Sequence, residues 1–276
     1  MRAAIIQMTS GIDPARNAEM LGQALEEAAA KGAECVFTPE MCGMLDGNRE
    51  RILAKARAEA DDPVLAAVQA AARRHGLWVH IGSLALKAED DGCGRLANRG
   101  FMIDATGTIR ARYDKMHLFD VDLPGGEHYR ESGTYRPGER AVLAETPWGG
   151  FGLSICYDLR FAALYQRLTD AGAALLSVPA AFTVPTGAAH WHVLLRARAI
   201  EAGVFVVAAA QTGTHEDGRS TYGHSLAIDP WGEVLLDMGA AAGVGIVDLD
   251  LARVDEVRGR VPAISHRRPI DVPVVS

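Results

Sequence analysis

The sequence predicts a single α/β domain built on mixed sheets, and two observations predict it. Short apolar runs alternate with longer amphipathic stretches along nearly the whole chain, the pattern of strands joined by crossover helices. At two places a pair of such runs is separated only by a short turn, so antiparallel hairpins enter an otherwise parallel arrangement. The chain has 276 residues and no linker, so residues 1–276 form one unit. With 49% hydrophobic and 23% charged residues it can fill a large core, which excludes a disordered chain.

The elements follow in order. Ala3 to Met8 is a first strand. Pro14 to Lys31 is a helix, with Asp13 placed to cap it, apolar Met20, Leu21, Ala24, Leu25 and Ala28 on one face, and Gly32 beyond its end. Glu34 to Thr38 is a buried strand stopped by Pro39, which leaves Glu40 just past its carboxyl end, the edge where open α/β sheets place ligands. Val64 to His75 is a helix with Asp61 or Asp62 as cap and Gly76 as stop, and Leu77 to Leu86 is the next strand. Asn98 to Asp104 and Thr108 to Tyr113 form the first hairpin. Asp114 to Pro137 carries Pro124, Gly125, Gly126 and Gly133 without a sustained period and is expected to be irregular; segments of that length are uncommon unless functional. Phe151 to Cys156 is a strand, Leu159 to Ala171 a helix, Ala174 to Val178 a strand, Gly187 to Ala202 a helix and Val204 to Ala210 a strand. Tyr222 to Asp229 and Glu233 to Leu236, joined by Pro230-Trp-Gly232, make the second hairpin, Val244 to Leu249 the last strand, and a short helix and extended tail finish the chain.

A net charge of −7 with no basic stripe argues against a nucleic-acid partner. The N-terminal apolar stretch stops at Gln7 and Thr9, without a signal-peptide h-region or a membrane span, so the expected compartment is the cytoplasm and no membrane is expected as partner. Cys35, Cys42, Cys93 and Cys156 show no C-x-x-C spacing and are expected to be reduced. His190 and His192 are two apart, so on a helix they point away from each other; no metal site and no cofactor are expected.

Three polar residues fall just after apolar strands: Glu40, Lys115 and Cys156. A cysteine attacks as thiolate and needs a base or cation beside it, which Glu40 can supply, while Lys115 can hold charge on the oxygen of a tetrahedral intermediate. Singly, each also fits a structural role: a loop carboxylate, a surface lysine, a small buried thiol. Gly152-Leu-Ser154-Ile-Cys156 lacks the last glycine of a serine-hydrolase elbow, so Ser154 is expected to be a strand residue.

Their context decides between these readings. Thr38-Pro-Glu40, Asp114-Lys-Met-His-Leu-Phe-Asp-Val121 and Cys156-Tyr-Asp-Leu-Arg-Phe161 together resemble the catalytic segments of the nitrilase (carbon-nitrogen hydrolase) superfamily. Glu131-Ser, Pro137-Gly138, Thr186-Gly-Ala-Ala-His-Trp191, Leu195-Arg-Ala-Arg-Ala-Ile-Glu201, Tyr222-Gly-His-Ser225 and Asp229-Pro-Trp-Gly232 extend the likeness over almost the entire chain. The resemblance implies a four-layer α-β-β-α sandwich that pairs into a homodimer or higher homo-oligomer, with the tail from Val261 suited to the contact. It implies Cys156 as nucleophile, Glu40 as general base, Lys115 as stabiliser of the intermediate and Glu131 as a second glutamate beside them, with the backbone N–H of Tyr157 completing an oxyanion hole. Arg160 is an anion-clamp candidate, His190 and Trp191 are expected to wall the substrate pocket, and His117 and His128 to be structural or solvent-facing. Phe161-Ala-Ala-Leu departs from the family's commoner Phe-Pro-Glu-Leu, which concerns local packing only.

The stretch Ala208-Ala-Ala-Gln-Thr-Gly-Thr-His215 resembles the Nit branch that hydrolyses deaminated glutathione. The implied partner is therefore a small-molecule amide. The alternatives are an ω-amidase acting on α-ketoglutaramate or α-ketosuccinamate, another aliphatic amidase or nitrilase, and a non-catalytic member of the fold, which would have lost one of Glu40, Lys115 or Cys156. A low-pKa Cys156 is expected to react with thiol reagents ahead of Cys35, Cys42 and Cys93.

Overall fold

The fold is described from a computed structural model, which covers residues 1–88, 93–123 and 126–270. Pro124 and Gly125 of the long segment, and the tail beyond residue 270, lie outside the described residues. The elements are β1 (Arg2–Gln7), α1 (Pro14–Ala30), β2 (Cys35–Phe37), α2 (Arg49–Lys55), β3 (Arg57–Ala58), α3 (Pro63–His75), β4 (Trp78–Lys87), β5 (Leu96–Ile103) and β6 (Ile109–Asp114). There follow β7 (Asp120–Asp122), β8 (His128–Arg130), β9 (Val142–Thr146), β10 (Gly149–Leu153), α4 (Ala162–Asp170), β11 (Ala173–Ser177), α5 (Val184–Ala202) and β12 (Phe205–Ala208). The chain ends with β13 (Thr212–Thr214), β14 (Ser220–Tyr222), β15 (Leu226–Ile228), β16 (Val234–Asp237), β17 (Gly243–Asp248) and α6 (Arg253–Arg260).

Two mixed sheets carry the fold. One has the order β17-β1-β2-β4-β5-β6, with β3 beside β4, and the other β16-β15-β12-β11-β10-β9. Successive strand residues point to opposite faces, and β1 shows what that achieves. Ala3 and Ile5 join the core between the sheets, where Phe37 of the first sheet stacks on Phe151 of the second at 6.2 Å, whereas Ala4 and Ile6 face the buried stripe of α1 and α3, including Leu21, Leu25, Val64 and Val68. On the far side Leu164, Leu168, Leu195 and Ala199 of α4 and α5 cover the second sheet. The result is the expected α-β-β-α layering.

The caps agree with the sequence. Asp13 Oδ1 accepts from the N–H of Ala15, Asp62 Oδ1 from that of Leu65, and Gly76 takes φ +68° at the end of α3. Other boundaries shift. Strand β10 ends at Leu153, and the helix expected from Leu159 divides into a 3-10 turn, Cys156–Arg160, and α4. The second hairpin begins at Leu226, because Gly223 and His224 both take positive φ and break the run; Tyr222 belongs instead to β14, paired with β13. Asp114 to Pro137 is less irregular than expected, since β7 pairs with β8 there. Strand β9 and helix α2, capped by Asn48 Oδ1, have no counterpart in the periodic pattern.

Candidate active site

Each polar residue that follows a strand is held there by a specific contact. Between β2 and Glu40 the chain passes over Gly82, where a Cβ would come within 2.1 Å of the Thr38 carbonyl oxygen and 2.4 Å of Pro179 Cβ. Only glycine permits that approach. The N–H of Met41, itself at φ +55°, donates to Ser83 Oγ at 2.9 Å, and Gln211 Nε2 donates to the Glu40 carbonyl at 2.9 Å. Lys115 follows β6 with its N–H on the Asn98 carbonyl, and its own carbonyl accepts from Gly138 at 2.7 Å. Gly138 is a second close approach, 2.1 Å from a would-be Cβ to the Asp114 oxygen.

Cys156 opens the 3-10 turn at φ +53°, a conformation costly for a non-glycine residue, and its N–H donates to the Pro179 carbonyl at 2.8 Å. Asp158 fixes this turn. One carboxylate oxygen accepts from Tyr113 Oη at 2.7 Å and the Ile155 N–H at 2.8 Å, the other from the N–H of His117 at 3.0 Å and its Nδ1 at 2.6 Å. A fully buried carboxylate thus ties the strand end that carries Lys115 to the turn that carries Cys156.

The four predicted catalytic residues come together. Lys115 Nζ, 2% exposed, donates to Glu40 Oε1 at 2.8 Å and to both oxygens of Glu131 at 2.9 and 3.0 Å. Asn98 Nδ2 bridges the two carboxylates at 3.0 and 3.1 Å, an orientation forced because both neighbours are acceptors. The N–H of Ala181 holds Glu40 Oε2 at 2.9 Å, and that of Phe119 holds Glu131 Oε2 at 2.6 Å. Burial would raise the Glu40 carboxyl, but the charge and hydrogen bond of Lys115 outweigh it and bring it below its ordinary 4.5. Burial opposes the Lys115 ammonium too, and Glu131 and Glu40 hold its pKa well above the usual lysine value. The Cys156 thiol is pushed well above its ordinary range, first by burial and then by the charge of Glu40 beside it.

These directions describe a resting thiol beside a carboxylate base. Two carboxylates already surround one ammonium, so a thiolate would add a second net negative charge to a buried cluster; proton transfer to Glu40 therefore belongs with the attack on a substrate carbon. The low-pKa thiolate expected from the sequence gives way to a base-assisted thiol. The expected labelling order changes with it, because Cys93 is exposed, whereas Cys156 is buried and Cys42 is both buried and pushed up to about 12.

Glu40, Lys115, Glu131 and Cys156 line a cavity of about 280 Å³. Tyr157, Phe119, Tyr129, Phe182 and Met44 supply its apolar and aromatic wall, and His128, Arg130 and Arg219 its more exposed rim. Tyr157 is the second residue of the 3-10 turn, where backbone N–H groups lack partners within the helix. Arg160 does not line the cavity: its guanidinium lies over the rings of Tyr157 and Phe182, at 5.8 and 5.6 Å, and Nη2 reaches His190 Nδ1 at 3.3 Å. Nor do His190 and Trp191, which corrects the expectation that they wall the pocket. His190 is exposed on α5, while Trp191 is 1% exposed, packs on Phe182 at 4.7 Å and donates from its indole to the His224 carbonyl, so it backs the wall without forming it. His117 stacks on Phe161 at 3.7 Å and serves Asp158, and His128, exposed, pairs with Asp122 while its ring reaches the cavity rim. Asn98, Asp158 and Arg219 were not foreseen; no motif or spacing marks a lone polar residue whose partners are distant in sequence.

Residues 2–259 match the carbon-nitrogen hydrolase family. The deaminated glutathione amidase of Yersinia enterocolitica is 38% identical over 96% of this chain and 92% of its own, and that of Synechocystis 40% identical over 96% and 97%. The crystal structure of the Caenorhabditis elegans NitFhit protein superposes with a TM-score of 0.90 at 40% identity, over 97% of this chain and 65% of that one. A glutamate-to-glutamine mutant of an amidase from Nesterenkonia, 26% identical with a TM-score of 0.80 over 97% of this chain and 94% of that one, shows covalent addition of the acetamide moiety of fluoroacetamide at the active-site cysteine.

Proposed function

Because the chain belongs to the carbon-nitrogen hydrolase family, we propose that it is an amidase that cleaves deaminated glutathione into α-ketoglutarate and cysteinylglycine through a thioester on Cys156. The observation that carries the reading is that Cys156 lines one cavity together with the hydrogen-bonded cluster of Glu40, Lys115 and Glu131.

Cys156 Sγ attacks the amide carbon as its proton passes to Glu40. The carbonyl oxygen takes up negative charge between Lys115 Nζ and the Tyr157 N–H, donors that need no rearrangement at that moment. Glu40 returns the proton to the departing amine, then takes one from the water that opens the thioester, and the acid and the free thiol are released. Glu131 and Asn98 keep the ammonium charged and aimed. The reaction needs no metal or cofactor.

The charge of the substrate suits the cavity rim. Deaminated glutathione carries a carboxylate at each end, and Arg219, whose own pairing with Asp217 is a single contact at 3.3 Å, stands on the rim with Arg130 and His128 to meet one of them. The relatives named for that activity, at 37–40% identity over nearly the whole chain, support the same choice. The test is kcat/KM for deaminated glutathione against α-ketoglutaramate and simple nitriles, with mass spectrometry of the quenched enzyme. A 2-oxoglutaryl adduct on Cys156 and preference for deaminated glutathione are expected. Preference for α-ketoglutaramate would make it an ω-amidase instead, and ammonia from nitriles a nitrilase.

We also read the enzyme as a cytoplasmic homodimer. Exposed Ile200, Trp231 and Val261, at 52–55%, border a groove between α5 and the segment after α6 and suit burial against a second copy. The cysteines form no disulfide among the described residues, and there no helix is long and apolar enough to cross a membrane.

A further inference from the structure

We propose that His192, His224 and Asp237 form a surface binding site for a zinc-like divalent metal ion, separate from the cavity that holds Cys156. The three come from different elements: His192 from α5, His224 from the loop between β14 and β15, and Asp237 from the end of β16. One ligand atom from each lies within 4.8 Å of the others. Asp237 Oδ2 is 3.0 Å from His192 Nε2 and 3.2 Å from His224 Nδ1. Ligand atoms about 2.0–2.2 Å from a tetrahedral zinc stand roughly 3.3 Å apart, so both edges from Oδ2 are already close to that length.

The donor set suits the ion. Two neutral imidazoles and one carboxylate are borderline ligands of the kind that hold zinc, and each histidine would coordinate through the nitrogen that now faces Asp237. Side-chain exposures of 33%, 27% and 34% leave the outer side accessible for water as a fourth ligand.

The surroundings hold the groups in place. His224 sits at φ +54° after Gly223, its N–H on the Gly239 carbonyl at 2.6 Å and its carbonyl on the Trp191 indole at 2.7 Å. Its ring stacks on Tyr222 at 4.5 Å, while Asp237 Oδ1 accepts from the Gly239 N–H at 2.9 Å. A strained backbone that is fixed from both sides presents the imidazole to a carboxylate already oriented. The bare sequence hides the site, because His192 finds partners 32 and 45 residues away and none at His190.

The test uses the full chain after chelation. Zinc chloride is titrated calorimetrically and cobalt chloride by visible absorption, in wild type and in His192→Ala and His224→Asn. Asparagine tolerates positive φ, so the second variant keeps the loop shape while removing a ligand. One equivalent of zinc and a tetrahedral cobalt spectrum without thiolate charge-transfer bands are expected. Each variant should lose at least about 100-fold in affinity, the upper end of what removing even an outer-shell partner costs. Amidase turnover of the metal-free wild type should be unchanged. Absence of stoichiometric binding, wild-type affinity retained in either variant, or a thiolate spectrum overturns the proposal.

Discussion

Cys156 and Glu40 act as one group. Cys156→Ala should cut turnover by roughly 10⁴-fold or more while the melting temperature holds, because a single buried sulfur is lost and the backbone that shapes the turn is kept. Active-site alkylation by iodoacetamide, followed as loss of activity, reports the proton transfer. Since Lys115 lowers the Glu40 carboxyl below 4.5, the base stays ionised at all higher pH; the alkylation rate should run level from neutral pH down and drop only below about pH 4.5. Glu40→Gln should slow it at pH 7, and a rate that climbs steadily toward alkaline pH in wild type would show a free thiolate instead. Asn98→Leu removes a donor shared by Glu40 and Glu131. Hydrogen bonds to charged groups are worth about 1.5–3 kcal/mol, so kcat should fall roughly 10- to 100-fold with KM little changed, as stopped-flow and steady-state rates can separate.

The elements supply the precision. Asp158 joins the end of β6 to the nucleophile turn through donors on both its oxygens. In Asp158→Asn one side of the amide faces donors with its own N–H₂, and urea denaturation should show a loss of about 1–3 kcal/mol together with reduced turnover. Gly82→Ala drives a methyl into the Thr38 carbonyl and Pro179 and should cost about 3 kcal/mol or more, at the upper end of overpacking, with Glu40 displaced. At this scale the sequence was informative in a specific way. Helices α1 and α3 and the hairpin β5–β6 were legible because caps, glycine stops and a full period mark them. Strands β7 and β8 were not, since three residues cannot display alternation, and α2 is a single short helix without an apolar stripe. Nothing along the chain announced that Tyr222 and Leu226 belong to different strands; that follows from the backbone at Gly223 and His224.

Across the whole molecule, the catalytic set was legible by order and context, while its mutual geometry was not. Glu40, Lys115 and Cys156 each stand after a strand, and the two facing sheets carry those strand ends to one edge. Asn98, Asp158 and Arg219 became visible only in three dimensions, because each gains its role from partners far along the chain. The pocket wall was misjudged at Trp191 for a related reason: an aromatic on a helix cannot be assigned to a wall or to the layer behind it until the helix is placed.

The antiparallel pairing of β1 with β17 bears on how the protein is made. Residues 2–7 bond to residues 243–248, so one flank of the first strand stays unpaired until residue 248 has left the ribosome. Contacts of such sequence separation are slow to close, and an open apolar strand edge invites aggregation. Stalled nascent chains ending before residue 240 should therefore remain protease-sensitive and chaperone-bound, with resistance gained abruptly once β17 has emerged.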